Sequence, residues 1–249
     1  MNKILVNNSK SIESNILVEN DEILIKKDVD IEFELEDYHK DINIHILENV
    51  TAHIKFFGND LHSNVKILLE KDSYLQIDSL LVDSDGELSV FLLGQNAEIK
   101  CVNSVIANRN CRIKFTVSHD DESTKSLLIN NGLVLHNNQL IFDVNGVIQK
   151  DSKCSICIQD NKIITRYSQL ASILPNLYID NYDIEAEHSA YIGMFKEEDM
   201  FYLMSRGISR NDAYLLLVKS FLLGRMELTD LEREKFIDKM NYYVGKGDK

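Results

Sequence analysis

From the amino terminus to about Gly193, the chain consists of short runs rich in Ile, Val, Leu and Phe, broken by Asn, Asp, Ser and Lys. The clearest run alternates Cys111, Ile113, Phe115 and Val117 with Arg112, Lys114, Thr116 and Ser118. A period of two predicts a half-buried strand. Ala97 to Cys101, Leu140 to Phe142 and Cys154 to Gln159 read the same way. The polar clusters Ser84-Asp85-Gly86, Asn108-Arg109-Asn110 and Asp160-Asn161 read as turns between strands. Many short strands without crossover helices predict a sandwich, a barrel or a stacked solenoid. With no exact internal repeat, the pattern leaves these three open.

Beyond Gly193 the period becomes helical. Glu197, Glu198 and Asp199 suit the positive end of a first helix, and Gly207 is its expected stop. Ser209 with Asp212 resembles a capping box, opening a helix with Ala213, Leu216, Leu217, Ser220 and Phe221 on one face and Gly224 at its end. Thr229 and Glu232 form a cleaner capping box before a last helix near 230–243. Such a tail suits a cap over the open end of a solenoid. It would equally serve as a docking surface.

Composition narrows the function more than the fold. A hydrophobic fraction of 44% in 249 residues supports a packed core. The net charge of −13 disfavours nucleic acid or an anionic membrane as partner. No apolar run is long enough for a membrane helix or a secretory signal, so a cytoplasmic setting is expected. Four cysteines in a chain of this length do not read as a disulfide framework.

Motifs between His119 and Leu222 fall in a familiar order. They are Val117-Ser118-His119 with Thr124 and Ser126; Phe142 with Gly146-Val147-Ile148; Gln159; Pro175-Asn176-Leu177-Tyr178-Ile179; Glu187-His188-Ser189-Ala190; and Phe201-Tyr202-Leu203-Met204-Ser205-Arg206-Gly207-Ile208, followed by Ala213 and Leu216-Leu217. In this order they resemble the SufB/SufD family of iron–sulfur cluster assembly proteins. The resemblance implies a mainly β fold, a right-handed parallel β-helix over 1–194, with a C-terminal, ATPase-docking helical domain over 195–249. It implies a short form without the helical domain that many relatives carry ahead of the β-helix. The subunit would be non-enzymatic. It would pair with a second SufB/SufD-like subunit, as homodimer or heterodimer, and with a SufC-like ABC ATPase, around a transient iron–sulfur cluster.

Within that resemblance His188 and Glu187 match residues near the cluster-forming interface, where imidazole and carboxylate can ligate iron. Read from the residues alone, His188 shares parity with Ile184, Ala186, Ala190 and Ile192, an apolar face, and a hydrogen-bonded core histidine explains it as well. Glu187 falls on the opposite face, where a solvated glutamate is the ordinary reading. Ser189 stands where SufB proteins often have a second glutamate, which makes the chain SufD-like there. Cys154-x-x-Cys157 has the spacing of a metal or redox motif, but in a strand its two sulfurs point apart. Parity groups Cys154 with Ile156 and Ile158 as core. Asp160 occupies the place of the sulfur-accepting cysteine of SufB proteins, so only Cys157 could supply sulfur nearby. Arg206, Gly207, Asp212, Ala213, Leu216 and Leu217 correspond to the ATPase-contacting region.

The sequence allows two other functions. The chain could bind the ATPase without holding a cluster. It could instead be a solenoid enzyme acting on polysaccharide through paired carboxylates, although it has no tryptophan for a sugar platform.

Overall fold

Strand residues sort into two stacks, and the corners between them explain how. The computed structural model describes residues 16–19, 22–165 and 170–246; residues 1–15, counted above with the β region, lie outside the described residues. In chain order the strands are β1 (Ile16–Glu19), β2 (Glu22–Ile25), β3 (Val29–Glu36), β4 (Ile42–Ile46), β5 (Thr51–Asn59), β6 (His62–Leu69), β7 (Tyr74–Val82) and β8 (Asp85–Leu92). There follow β9 (Glu98–Ala107), β10 (Cys111–His119), β11 (Lys125–Val134), β12 (Gln139–Ile148), β13 (Ser155–Thr165), β14 (Leu170–Ile179) and β15 (Ile184–Gly193). One sheet runs β1-β2-β4-β6-β8-β10-β12-β14 and the other β15-β13-β11-β9-β7-β5-β3. Apart from the antiparallel β1–β2 pair, the pairings are parallel. Each strand lies beside the one two elements earlier, so the chain coils as rungs. Of the three architectures the pattern allowed, the solenoid is the one observed.

Most corners carry a residue in the left-handed region, which Asn and Asp enter most readily after glycine. One row of corners uses Asp37, Asp60, Asp83 and His136; the other uses Asn49, Asp72, Asn96, Ser123 and Cys154, all at φ between 47° and 59° except Asn96 at 61°. The rungs lengthen along most of the chain. Equivalent residues are 23 apart at Asp41 and Asn64, 24 at Ser79 and Asn103, 27 at Asn103 and Asn130, and 31 at Asn130 and Asn161. That drift hides the repeat from inspection.

Inward-facing Ile, Val, Leu and Phe from both sheets line the bore. The alternation read from Cys111 to Val117 is borne out, all four being buried. A polar column runs through the same bore. Ser79 donates to Asn103 (2.8 Å), Asn103 to Asn130 (2.8 Å), Asn130 to Asn161 (2.7 Å), and Asn161 to the Ser189 carbonyl (3.1 Å). The turn expected at Asp160-Asn161 is therefore mid-strand in β13. A buried amide ladder resembles turn composition in sequence.

The helices are α1 (Glu197–Ser205), α2 (Arg210–Leu223) and α3 (Asp230–Lys246). Both capping boxes form. Ser209 Oγ accepts from Asp212 N, and Thr229 and Glu232 bond reciprocally. Gly207 at φ 85° ends α1 in a Schellman arrangement, Gly207 N bonding Met204 O and Ile208 N bonding Leu203 O. The tail does not cap the coil's end, as its position in sequence suggested. It folds back along the outer face of the odd-numbered sheet. There Val218, Leu222, Phe236 and Met240 pack on Phe57, Val102, Ile106 and Leu133.

Charged groups stitch the seam between tail and sheet. Lys235 and Lys239 meet Glu32 and Glu34, while buried Lys55 meets Asp30 and Glu232. The buried side of α2 is Ala213, Val218, Leu222 and Leu223, and the expected Leu216 and Ser220 face solvent. Apolar residues occupy most of this helix, so its period singles out no face. Among the described residues no helix is long and apolar enough to cross a membrane.

Candidate functional site

The last rung is bonded on one side only. β14 pairs with β12 and β15 with β13, and among the described residues no strand follows either. Two rows of backbone N–H and C=O groups consequently line the end of the coil. Their apolar side chains are uncovered too. Ile179 and Ile192 are each 45% exposed, whereas their partners one rung in, Ile148 and Ile163, are at 1% and 0%.

His188 pairs with Gln159, an inward position, so its sequence parity is read correctly. The core-histidine reading nevertheless fails, because no rung lies beyond to cover the ring, and it is exposed. Ala186 lies over Cys157 on the same face. Glu187 pairs with outward Ile158, so it stands across the strand from His188 and is exposed.

Cys157 is fully buried, and burial pushes its thiol up despite a hydrogen bond from Ser126. Gly146 makes room for it: a Cβ there would come within 2.6 Å of the Cys157 Sγ and 3.1 Å of Gln159 Nε2. The parity of the cysteines is the reverse of that read from sequence. Cys154 is an exposed corner residue at φ 57°, and Ser155, Cys157, Gln159 and Asn161 face the bore. The bore is polar here, so apolar neighbours marked the wrong face. Cys154 and Cys157 face solvent and bore respectively, and both are free thiols.

Behind Cys157 lies a hydrogen-bonded group centred on His119, which is wholly buried. Its Nδ1 meets Thr124 Oγ1 at 2.8 Å and its Nε2 meets Ser126 Oγ at 2.9 Å; Thr124 Oγ1 continues to Ser155 Oγ at 2.9 Å. Burial pushes the imidazole down to about 4. On the outer face Asp160 accepts from Ser189 Oγ (2.8 Å), Lys162 (3.0 Å) and Arg225 (2.5 Å). Burial would raise its carboxyl, but these hydrogen bonds outweigh that and hold it below the usual range. Arg225 lies between α2 and α3, so Asp160 bridges the tail to the last rung. The sequence reading weighed Asp160 as a turn residue and as a missing cysteine, not as a link to the tail.

Among the described residues no three His, Cys, Asp or Glu groups converge closely enough to hold a metal ion. His188 is an accessible inward-face donor on the open end; Cys157 is sealed one rung in.

In the tail, Arg206 and Gly207 are exposed beside α1, and the Arg206 guanidinium lies 5.4 Å from the Tyr202 ring centre. Asp212 is exposed, Leu216 is exposed and Leu217 half-buried, but Ala213 is fully buried within the chain. Phe201 (74% exposed) and Tyr202 (59%) form the most exposed apolar part of this surface. They were read in the sequence as motif residues, without a place in the contact surface.

Comparison with known proteins bears on this geometry. Residues 61–221 match the family model described as SUF system FeS cluster assembly, SufBD core domain. The chain is 26% identical over 197 residues to the iron-sulfur cluster assembly protein SufD of Escherichia coli, covering 76% of this chain and 44% of that protein. It is 29% identical over 100 residues to an iron-sulfur cluster assembly SufBD family protein of Pyrococcus horikoshii, covering 40% and 21%. A SufBD family protein of Staphylococcus epidermidis is 22% identical over 201 residues, covering 72% and 41%. The chain thus spans less than half the length of these relatives. With the matched core running from the β5–β6 corner through most of α2, the chain belongs to the SufB/SufD family of iron–sulfur cluster assembly proteins.

Proposed function

We propose that this chain is a non-enzymatic, cytoplasmic subunit of a SUF-type assembly complex, in which a nascent iron–sulfur cluster is cargo. The observation that carries this reading is the open last rung. Unpaired strand edges and uncovered apolar side chains favour a second solenoid docking end to end, so that main-chain hydrogen bonds continue across the junction. The partner is a SufB/SufD-like subunit, the same or different. His188 then lies at the junction and contributes an imidazole, and further ligands come from the partner. Glu187, across the strand, reaches a cluster only if the junction wraps the outer face. Cys157, as a buried protonated thiol, needs the rung to open before it can serve.

The surface of α1 and α2 carrying Phe201, Tyr202, Arg206 and Leu216 docks a SufC-like ABC ATPase, which would perform the hydrolysis. The Arg225–Asp160–Ser189 bridge supports transmission of movement from that surface to the last rung.

A second reading keeps the ATPase and omits the cluster. The sealing of Cys157 and the presence of Asp160 favour it. Anaerobic reconstitution with iron and sulfide, with ATPase and partner subunit present, separates the two. A charge-transfer absorption band weakened in His188→Ala supports the first. A colourless complex that still co-purifies with the ATPase supports the second.

A further inference from the structure

The bore is not filled along its whole length. In the even-numbered sheet, the inward column Ile46, Leu69 and Leu92 is 0% exposed. The parallel column Ile42, Val65 and Leu88, at the other end of the same strands, is only half-buried. Opposite, inward Phe56 and Leu81 are half-buried as well. These side chains surround a cavity of about 250 Å³ running along the rungs from β2 to β10. Its cause lies in the packing columns. Phe56 is followed by small Ser79 in the next rung. Further along, Phe115 follows Leu88, and the edge-to-face pair Phe115–Phe142, 5.8 Å between centroids, closes the bore.

We propose that this cavity binds an uncharged apolar molecule. Engineered cavities of roughly 150 Å³ lined by Leu, Ile and Phe take up benzene, so this one would hold about ten carbon atoms. The lining argues against a charged group. Ser63 donates to the Tyr38 carbonyl (2.9 Å), Ser79 to Asn103 (2.8 Å) and Ser84 to the Val82 carbonyl (2.8 Å). The three carboxylates at the rim are all engaged: Asp41 accepts from Asn64 N (3.0 Å), Asp85 from Arg109 (2.7 Å), and Glu87 from Ser89 Oγ (2.7 Å) and Lys114 (3.2 Å). Among the described residues, none of the buried polar atoms lacking a partner belongs to this lining. Binding therefore rests on replacing water against hydrocarbon. This site is separate from the open rung, and its occupancy does not depend on the assembly role proposed above.

Equilibrium dialysis of the full chain against naphthalene tests the proposal. The expected result is saturable uptake of one molecule per chain, with naphthalene-1-sulfonate at least ten-fold weaker. Val65→Phe and Leu88→Phe, which fill the space, should weaken naphthalene at least ten-fold without lowering the thermal unfolding midpoint. Uptake that does not saturate, or equal binding of the sulfonate, overturns the proposal, as does unchanged affinity in folded filling variants. Should those variants not fold, crystals of the unaltered chain under xenon decide. Xenon between Phe56, Val65 and Leu88 supports the site, and a bore without xenon overturns it.

Discussion

His119 illustrates how a single buried residue sets a pH response. Its pKa is pushed down to about 4 in the folded chain, against an ordinary value near 6.5. The unfolded chain therefore binds the extra proton first as pH falls. Stability should drop between about pH 6.5 and pH 4 by roughly 3 kcal/mol from this group, then level off below pH 4. Urea unfolding across that range should show a smaller decline in His119→Gln than in the unaltered chain. Asn130 is the central rung of the amide ladder, donating to Asn161 and accepting from Asn103. Asn130→Ala strands both neighbours, and a loss of about 2–4 kcal/mol is expected in the same measurement. Gly207 has open space around its Cα, so only its positive φ calls for glycine. Gly207→Ala should cost about 1–2 kcal/mol, read from the thermal unfolding midpoint. At this scale the sequence was legible where apolar residues face the bore, as at Cys111 to Val117. It misled where polar residues do. Asp160-Asn161 resembled a turn because an inward asparagine carries no apolar label, and the two cysteines of the Cys154-x-x-Cys157 motif were assigned to each other's faces for the same reason.

At the scale of elements, strand identity followed from alternation, but the repeat did not. The early corners are marked by Asn or Asp in left-handed conformation, 23 residues apart, while the later ones, at Ser123, His136 and Cys154, are further apart and carry no turn signature. A fixed-period search cannot register such a drift. Helix ends were legible because capping is local: Ser209, Gly207 and Thr229 each do what their neighbours predict. The packed face of α2 was not, since the partner surface on β9 and β11 is distant in sequence. The seam also limits how the tail can be tested. Deleting 196–249 would expose Phe57, Val102, Ile106 and Leu133 together, an apolar strip that invites aggregation. Point changes on the solvent side are cleaner. Phe201→Asp should abolish co-purification with the ATPase while leaving the unfolding midpoint within a degree or two, because Phe201 is 74% exposed. Retained binding would remove the tail from the docking surface.

The molecule as described is a coil with a helical strap along one flank and an open end at β14 and β15. His188 owes its exposure to that end, not to its own sequence neighbourhood: an inward residue becomes a surface residue when the stack stops. Nothing local in the chain announces which rung is last, which is why parity alone favoured a core histidine. The account's central claim is that this end receives a second solenoid. Hydrogen–deuterium exchange of the chain alone, and then mixed with a SufB-type subunit and its ATPase, tests it directly. The account predicts new protection of backbone amides in 170–179 and 184–193, accompanied by protection in 197–216 and none in β3 to β8. A complex that forms while amides of β14 and β15 exchange as fast as in the free chain would contradict it.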